Sequence, residues 1–233
     1  MQPIVIAHRT CPRDAPENSL AGIAIAAALG ADAVEVDVRR SADGIPVLLH
    51  DRRLYRTTRR LASVAAVPQA DLGRIRLRGG GTIPTLSEAL CALGPTMRIA
   101  IDVKDPGAGP AVVEAVRAHG LDDRVLFWSQ HEEAVRACSN GAPELEISLL
   151  RDTRTPDQLE RLLMDAERFG ARGISAHWSQ VSPGLAEACS LRGLSLYAWC
   201  KRERIEPEKL AVLTGVVTDW PGAARAAVAE LDS

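Results

Sequence analysis

The sequence predicts a (β/α)8 barrel of the TIM type, and three observations carry that reading. Eight short apolar runs alternate with eight Ala-rich, helix-like stretches. The starts and stops of those helices are well marked. The 233 residues come close to the ~250 that such a barrel takes. Strands are expected at 3–7, 33–38, 98–103, 124–128, 145–150, 173–176, 194–199 and 215–218, each short enough for a buried strand. Helices are expected at 18–29, 85–93, 110–119, 131–138, 156–169, 182–192, 206–212 and 221–230. Pro84 precedes Ser87 and Glu88, and Pro156, Pro183 and Pro221 stand where a first helical turn wants proline. Gly30, Gly120, Gly170 and Gly193 fall at helix ends, where a left-handed residue closes the helix. The structural rival, a doubly wound open sheet, lacks its pyrophosphate-binding glycine fingerprint here. No linker or shift in composition divides residues 1–233, so a single domain is expected.

Two departures from simple alternation are expected at the C-terminal face. Residues 38–50 read as a β-hairpin, with Asp43-Gly44 as the turn between two apolar runs. With Arg40 opposite Ile45 across a four-residue loop, Asp37 pairs with Leu48 and Glu35 with His50. A slip of one residue would turn His50 away. The stretch 51–84 is a basic insertion, with eight arginines against two aspartates, Asp51 and Asp71, closing on Gly79-Gly80-Gly81. Its place after the hairpin puts it over the barrel mouth, where long loops are functional or mobile. It reads either as a cationic lip, with Arg56, Arg59 and Arg60 capturing an anionic substrate, or as a solvated surface segment.

The bulk numbers set the class. With 46% hydrophobic and 25% charged residues, the chain has ample material for one core. A formal net charge of −2 implies no global binding of polyanions, so no nucleic-acid partner is expected. Five cysteines, odd in number and without a Cys-x-x-Cys pair, point to free thiols in a reducing, cytoplasmic setting. No run reaches transmembrane length and no signal-peptide pattern is visible, so stable membrane insertion is not expected.

The chemistry is expected where two histidines, His8 and His50, bracket Glu35 and Asp37. A strand has a side-chain period of two, so Glu35 and Asp37 share one face while Val34, Val36 and Val38 share the other. Two carboxylates side by side among apolar residues resist burial unless something positive lies between them. A hard divalent cation flanked by two imidazoles is the site this pattern suggests. Asp102 and Lys104 share a face of the 98–103 strand and its end, with Asp102 read as a third oxygen ligand or as a partner of Lys104. The four tryptophans, Trp128, Trp178, Trp199 and Trp220, fall at or just after strand ends, on the face where such barrels act. His177 is read as an exposed loop residue, and His119 and His131 as surface.

Several pieces, in order, resemble the glycerophosphodiester phosphodiesterase family. They are His8-Arg9, Pro16-Glu17-Asn18-Ser19, Gly30 through Val38, Asp43 through Asp51, Arg56-Thr57-Thr58, Ile83-Pro84-Thr85-Leu86, Ile101-Asp102-Val103-Lys104, Trp199, and Val217 through Pro221. The resemblance implies a TIM barrel that hydrolyses a small-molecule glycerophosphodiester to glycerol 3-phosphate and an alcohol. It implies catalytic roles for His8 and His50 and a divalent cation (Mg2+, Ca2+ or Mn2+) on Glu35, Asp37 and Asp102. It also implies phosphate contacts from Arg9 and Lys104 and a substrate wall at Trp199. Glu17 and Asp51 are expected behind the site, Glu17 orienting Arg9 by a salt bridge. Two positions depart from the family's pattern. Thr10 stands where Gly is usual and would crowd the phosphate pocket. Asp102 stands where Glu is usual and is shorter by one methylene. Rival readings are a phosphoinositide- or lysophospholipid-cleaving phosphodiesterase on the same barrel, and a decayed glycerophosphodiester-binding protein. An amidohydrolase would want His-x-His on the first strand, and Arg9-Thr10 follow His8 instead.

Overall fold

The computed structural model describes residues 2–231. Nine strands form one sheet: β1 (Ile4–Ala7), β2 (Ala33–Arg40), β3 (Pro46–Leu48), β4 (Arg98–Val103), β5 (Val125–Ser129), β6 (Glu146–Leu150), β7 (Gly173–His177), β8 (Ser195–Cys200) and β9 (Gly215–Thr218). All but β3 are parallel, and β1 pairs with both β9 and β2, so the eight parallel strands close into a barrel. Each barrel strand is followed by a helix: α1 (Leu20–Ala28), α4 (Leu86–Ala92), α5 (Gly109–Ala118), α6 (Glu132–Gly141), α7 (Pro156–Phe169), α8 (Pro183–Ser190), α9 (Pro207–Leu210) and α10 (Pro221–Glu230). Two short helices, α2 (Tyr55–Thr58) and α3 (Gln69–Leu72), lie in the insertion.

Local chemistry explains the boundaries. Thr155 accepts from the Gln158 amide while the Gln158 side chain returns to the Thr155 amide, a capping box with Pro156 at the first helical position. Gly170 ends the same helix at φ 74°, a left-handed turn that glycine adopts without cost. Period-two alternation divides the strands between two environments. Val34, Val36, Val38, Ile99, Ile101 and Val103 point outward into the main core beneath the helices. Ile6, Ala33, Ala100, Leu126, Trp128, Tyr197 and Val217 fill the barrel interior. Glu35, Asp37 and Asp102 point inward above them, at the C-terminal ends of β2 and β4.

The hairpin register differs from expectation by one residue. Val38 pairs with Leu48, Arg39 with Val47 and Arg40 with Pro46. Five residues, not four, form the loop, because Ser41 folds it from within. The Ser41 hydroxyl accepts from the Ile45 amide at 2.9 Å and donates to Asp43 at 2.5 Å. The slip does not turn His50 away, because regular strand geometry stops at Leu48. The Leu49 amide bonds Asp37 O at 2.9 Å, and Arg39 Nε holds His50 O at 2.8 Å. Arg39 is itself fixed by Asp105 at 2.7 Å.

The insertion is folded and packed. Val47, Leu49, Leu54, Val64, Leu72, Leu77 and Ile83 form a separate small core that seats it on the hairpin. Gly79, Gly80 and Gly81 all have positive φ and make the turn that closes the Arg76–Thr82 bridge.

Thr10 also departs from expectation. It lies in a left-handed run, Arg9, Thr10 and Cys11 at φ 43°, 58° and 70°, a conformation costly for non-glycine residues. Its buried side chain turns toward α1, away from the cavity, and accepts from the Ser19 amide at 3.0 Å. Gly22 permits this approach, since a Cβ there would fall 1.8 Å from Thr10 O. Gly22→Ala is therefore expected to destabilise the protein by about 1–3 kcal/mol or more. Thermal unfolding should register this as a Tm lowered by roughly 2–4 °C per kcal/mol, and an unchanged Tm would show that the loop yields freely.

Candidate active site

The end of β1 delivers His8 and Arg9 in a single tight turn. His8 Nδ1 lies 2.6 Å from Asp219 Oδ1, just beyond β9. A carboxylate accepts and cannot donate, so Nδ1 carries the proton. Burial alone would raise the Asp219 carboxyl; the hydrogen bond and charge of His8, with the charges of Lys201 and Arg9, together outweigh it and hold the pKa below the usual range. The Arg9 amide donates to Glu35 Oε2 at 2.7 Å, and its guanidinium lies 3.2 Å from Asp37 and 3.6 Å from Glu17.

His50 is built the same way. Its Nδ1 lies 2.7 Å from Asp51 Oδ1, and Asp51 in turn accepts from Arg56 Nε at 2.5 Å. Arg56 then forks onto both oxygens of Glu17, at 2.6 Å each. Glu17 thus reaches Arg9, as expected, but its closer partner is Arg56. A continuous chain, His50–Asp51–Arg56–Glu17–Arg9, ties the insertion to the first strand. Burial pushes the His50 imidazole below its ordinary pKa, against the pull of Asp37 and Asp51.

Glu35, Asp37 and Asp102 converge between the histidines, each with a ligand oxygen within 4.8 Å of the others. Parallel pairing sets Asp37 opposite Asp102 in register. All three side chains are buried. Lys104 Nζ bonds Asp102 Oδ2 and lies 3.0 Å from Asp37 Oδ1. Asn18 clamps Asp37 from behind, donating to its carboxylate at 2.8 Å and accepting from its amide at 2.9 Å. Burial opposes the Asp37 anion, but Lys104 and Arg9 outweigh it and hold its pKa well below the ordinary value. Glu35 goes the other way: burial and then Asp37 push its pKa up to about 7. Burial likewise raises Asp102, against Lys104. Three carboxylates share two cationic side chains, so the cluster lacks positive charge.

The donor set fits a hard divalent cation. It offers only carboxylate oxygens, the preferred ligands of Mg2+, Ca2+ and Mn2+. Asp102 pairs with Lys104 and also lies in the carboxylate cluster. One oxygen meets Lys104, and the other, Oδ1, is buried without a hydrogen-bond partner.

These groups line a cavity of about 200 Å3 whose far wall includes Trp128, Ser175, Trp199 and Lys201. Trp199 is flanked by His177 at 4.4 Å, with Arg154 and Lys201 at 5.3 and 5.8 Å from its ring. Of the other tryptophans, Trp128 lies buried in the cavity wall. Trp178 is a packing residue bonded to Glu206 at 2.7 Å, and Trp220 carries the Arg13 guanidinium 3.3 Å from its ring. His177 is the last residue of β7 and half-buried against Trp199, not a free loop residue. His131 is half-buried and its Nε2 meets Lys104 O at 3.1 Å, bracing the lysine's backbone. His119 is half-buried too, bonded to Ser87 at 2.6 Å. All five cysteines are free. Burial first, then Asp14 and Asp219, pushes the Cys11 thiol up to about 11, so it is not a ready nucleophile.

Fold and site define a parallel barrel with two histidines and three buried carboxylates gathered at the C-terminal mouth of its strands. The sequence model of the "Glycerophosphoryl diester phosphodiesterase family" matches residues 8–223, and the chain belongs to that family and is a phosphodiesterase. It is 28% identical, over 236 residues, to a glycerophosphodiester phosphodiesterase of Caldanaerobacter subterraneus subsp. tengcongensis, covering 95% of this chain and 96% of that one. A phosphodiesterase of Oleispira antarctica, solved in complex with the product sn-glycerol 3-phosphate, superposes with a TM-score of 0.83 at 28% identity, covering 100% of this chain and 98% of the other. A glycerophosphodiester phosphodiesterase of Agrobacterium tumefaciens superposes with a TM-score of 0.82 at 26% identity, covering 98% of this chain and 100% of the other. Among the described residues no helix is long and apolar enough to cross a membrane.

Proposed function

We propose that the chain hydrolyses glycerophosphodiesters to glycerol 3-phosphate and an alcohol, with a divalent cation on Glu35, Asp37 and Asp102 and with His8 and His50 as the acid–base pair. The observation that carries this reading is the pairing of each histidine with its own carboxylate in the cavity that one oxygen-donor cluster also lines. The cation, when bound, would polarise a phosphoryl oxygen and lower the pKa of the attacking hydroxyl. Arg9 and Lys104 neutralise the remaining charge of the diester, worth most in a site shielded from water. Asp219 and Asp51 fix the proton on Nδ1 of their histidines and so present Nε2 to the reaction. One imidazole removes the proton from the nucleophile while the other protonates the departing alkoxide, a division of labour worth roughly 10²–10⁴-fold for each group. Trp199 forms the apolar wall against which the carbon part of the substrate packs. The likeness to a relative solved with sn-glycerol 3-phosphate supports the choice of product.

The test is direct. Purified protein incubated with a glycerophosphodiester should release glycerol 3-phosphate when Mg2+, Ca2+ or Mn2+ is added. Tight binding of the diester without release, under every cation, would instead favour a binding protein that has lost turnover.

A further inference from the structure

The arginines of the insertion fall into two groups. Arg56 is consumed by Asp51 and Glu17, so it is not a free charge at a lip. Arg52, Arg53, Arg59 and Arg60 are exposed and form no ion pair among the described residues. No acidic residue occurs between Asp51 and Asp71 to offset them. Tyr55 stands among them and Leu61 directly follows Arg60, two exposed side chains at 54% and 89% exposure.

This surface is rigidly presented. The Leu54 amide bonds Ala62 O and the Val64 amide bonds Arg52 O, each at 3.0 Å, so residues 52–64 form a closed loop. Leu54 and Val64 are buried at its base. The turn at Arg59 is left-handed, φ 64°, and Arg60 and Leu61 follow it at the tip. The loop springs from Asp51, next to His50, on the mouth side of the barrel.

We infer that this loop docks the barrel mouth onto an anionic phospholipid surface as a peripheral contact. Charge complementarity selects the occupant. A basic residue near an anionic leaflet raises partitioning by roughly 5-fold, so Arg59 and Arg60 at the tip give on the order of 25-fold. Leu61 adds a side chain that gains by leaving water for the acyl boundary, with Tyr55 suited to the headgroup level. A nucleic-acid backbone would use the arginines and leave Leu61 exposed. The contact is independent of the reaction assigned above, since none of these side chains lines the cavity.

Sedimentation with vesicles tests it. Vesicles of equal parts phosphatidylcholine and phosphatidylglycerol should pellet the intact protein, less so as salt rises, and pure phosphatidylcholine vesicles should not. Arg59→Gln with Arg60→Gln should weaken binding by roughly 10-fold or more. Leu61→Ser should weaken it by at least about 3-fold with its circular dichroism unchanged. Both variants should keep wild-type kcat on a soluble diester. No pelleting with anionic vesicles, equal pelleting with neutral ones, wild-type binding by both variants, or equally tight binding to a DNA duplex would each overturn the inference.

Discussion

His50→Ala is expected to lower kcat by roughly 10²–10⁴-fold with little change in thermal stability. The imidazole is about one-third exposed, its side chain at 34%, so its removal leaves no closed cavity in the core. The loss should fall on kcat, because the ring's proposed work is proton transfer and phosphate binding is assigned to Arg9 and Lys104. Asp51→Asn gives the finer reading. It keeps the shape but offers an amide where the carboxylate accepted from Nδ1, loosening the ring's tautomer and weakening the Arg56 link. A smaller loss than for His50→Ala is expected there. Ordinary turnover by well-folded His50→Ala would remove this residue from the mechanism, and the same comparison applies to His8→Ala and Asp219→Asn on the other side.

Exhaustive chelation is the second large effect, with activity expected to vanish and to return on adding Mg2+, Ca2+ or Mn2+. A readout without catalysis accompanies it. A cation bound only by the folded protein raises stability by about 2.7 kcal/mol at a hundred times its Kd, or roughly 5–10 °C in Tm for a chain of this size. Asp102→Asn should erase much of that Tm increment, because Asp102 Oδ1 is the buried oxygen with no other partner. Asp102→Glu restores the reach of the usual residue by roughly 1.5 Å and should alter which cation gives the larger increment. An undiminished rate after chelation, with no cation-dependent Tm, would end the metal reading.

Much of this was legible in the amino-acid sequence because it depends on local periodicity. Glu35 and Asp37 share a face by strand geometry alone, and the apolar runs locate every barrel strand. What was not legible depends on particular contacts made across the chain. The hairpin loop gained a residue through one serine hydroxyl, Ser41, which no turn rule announces. Asp219 sat in the Val217–Pro221 motif without an assigned role, and only closure of β9 on β1 shows that it meets His8. Asn18 sat in a family-like motif without an assigned role until the fold brought it to Asp37, and Arg56, read as part of a cationic lip, is instead paired with Asp51 and Glu17. Thr10 seemed an obstacle because its side-chain direction is set by Gly22, a dozen residues away. The insertion read as loop because its small core alternates with arginines, which hides the apolar signal.

The bond between His8 and Asp219 spans 211 positions. A ribosome adds Asp219 long after His8, and β1 has neither its neighbour β9 nor that carboxylate until then. The nascent barrel therefore holds both imidazoles and the three clustered acids while lacking the group that fixes one proton. Such long-range closure is also the slow kind, since the ends must meet before the contact stabilises anything. On the mechanism proposed above, the proton on His8 Nδ1 is therefore fixed only once β9 has closed on β1.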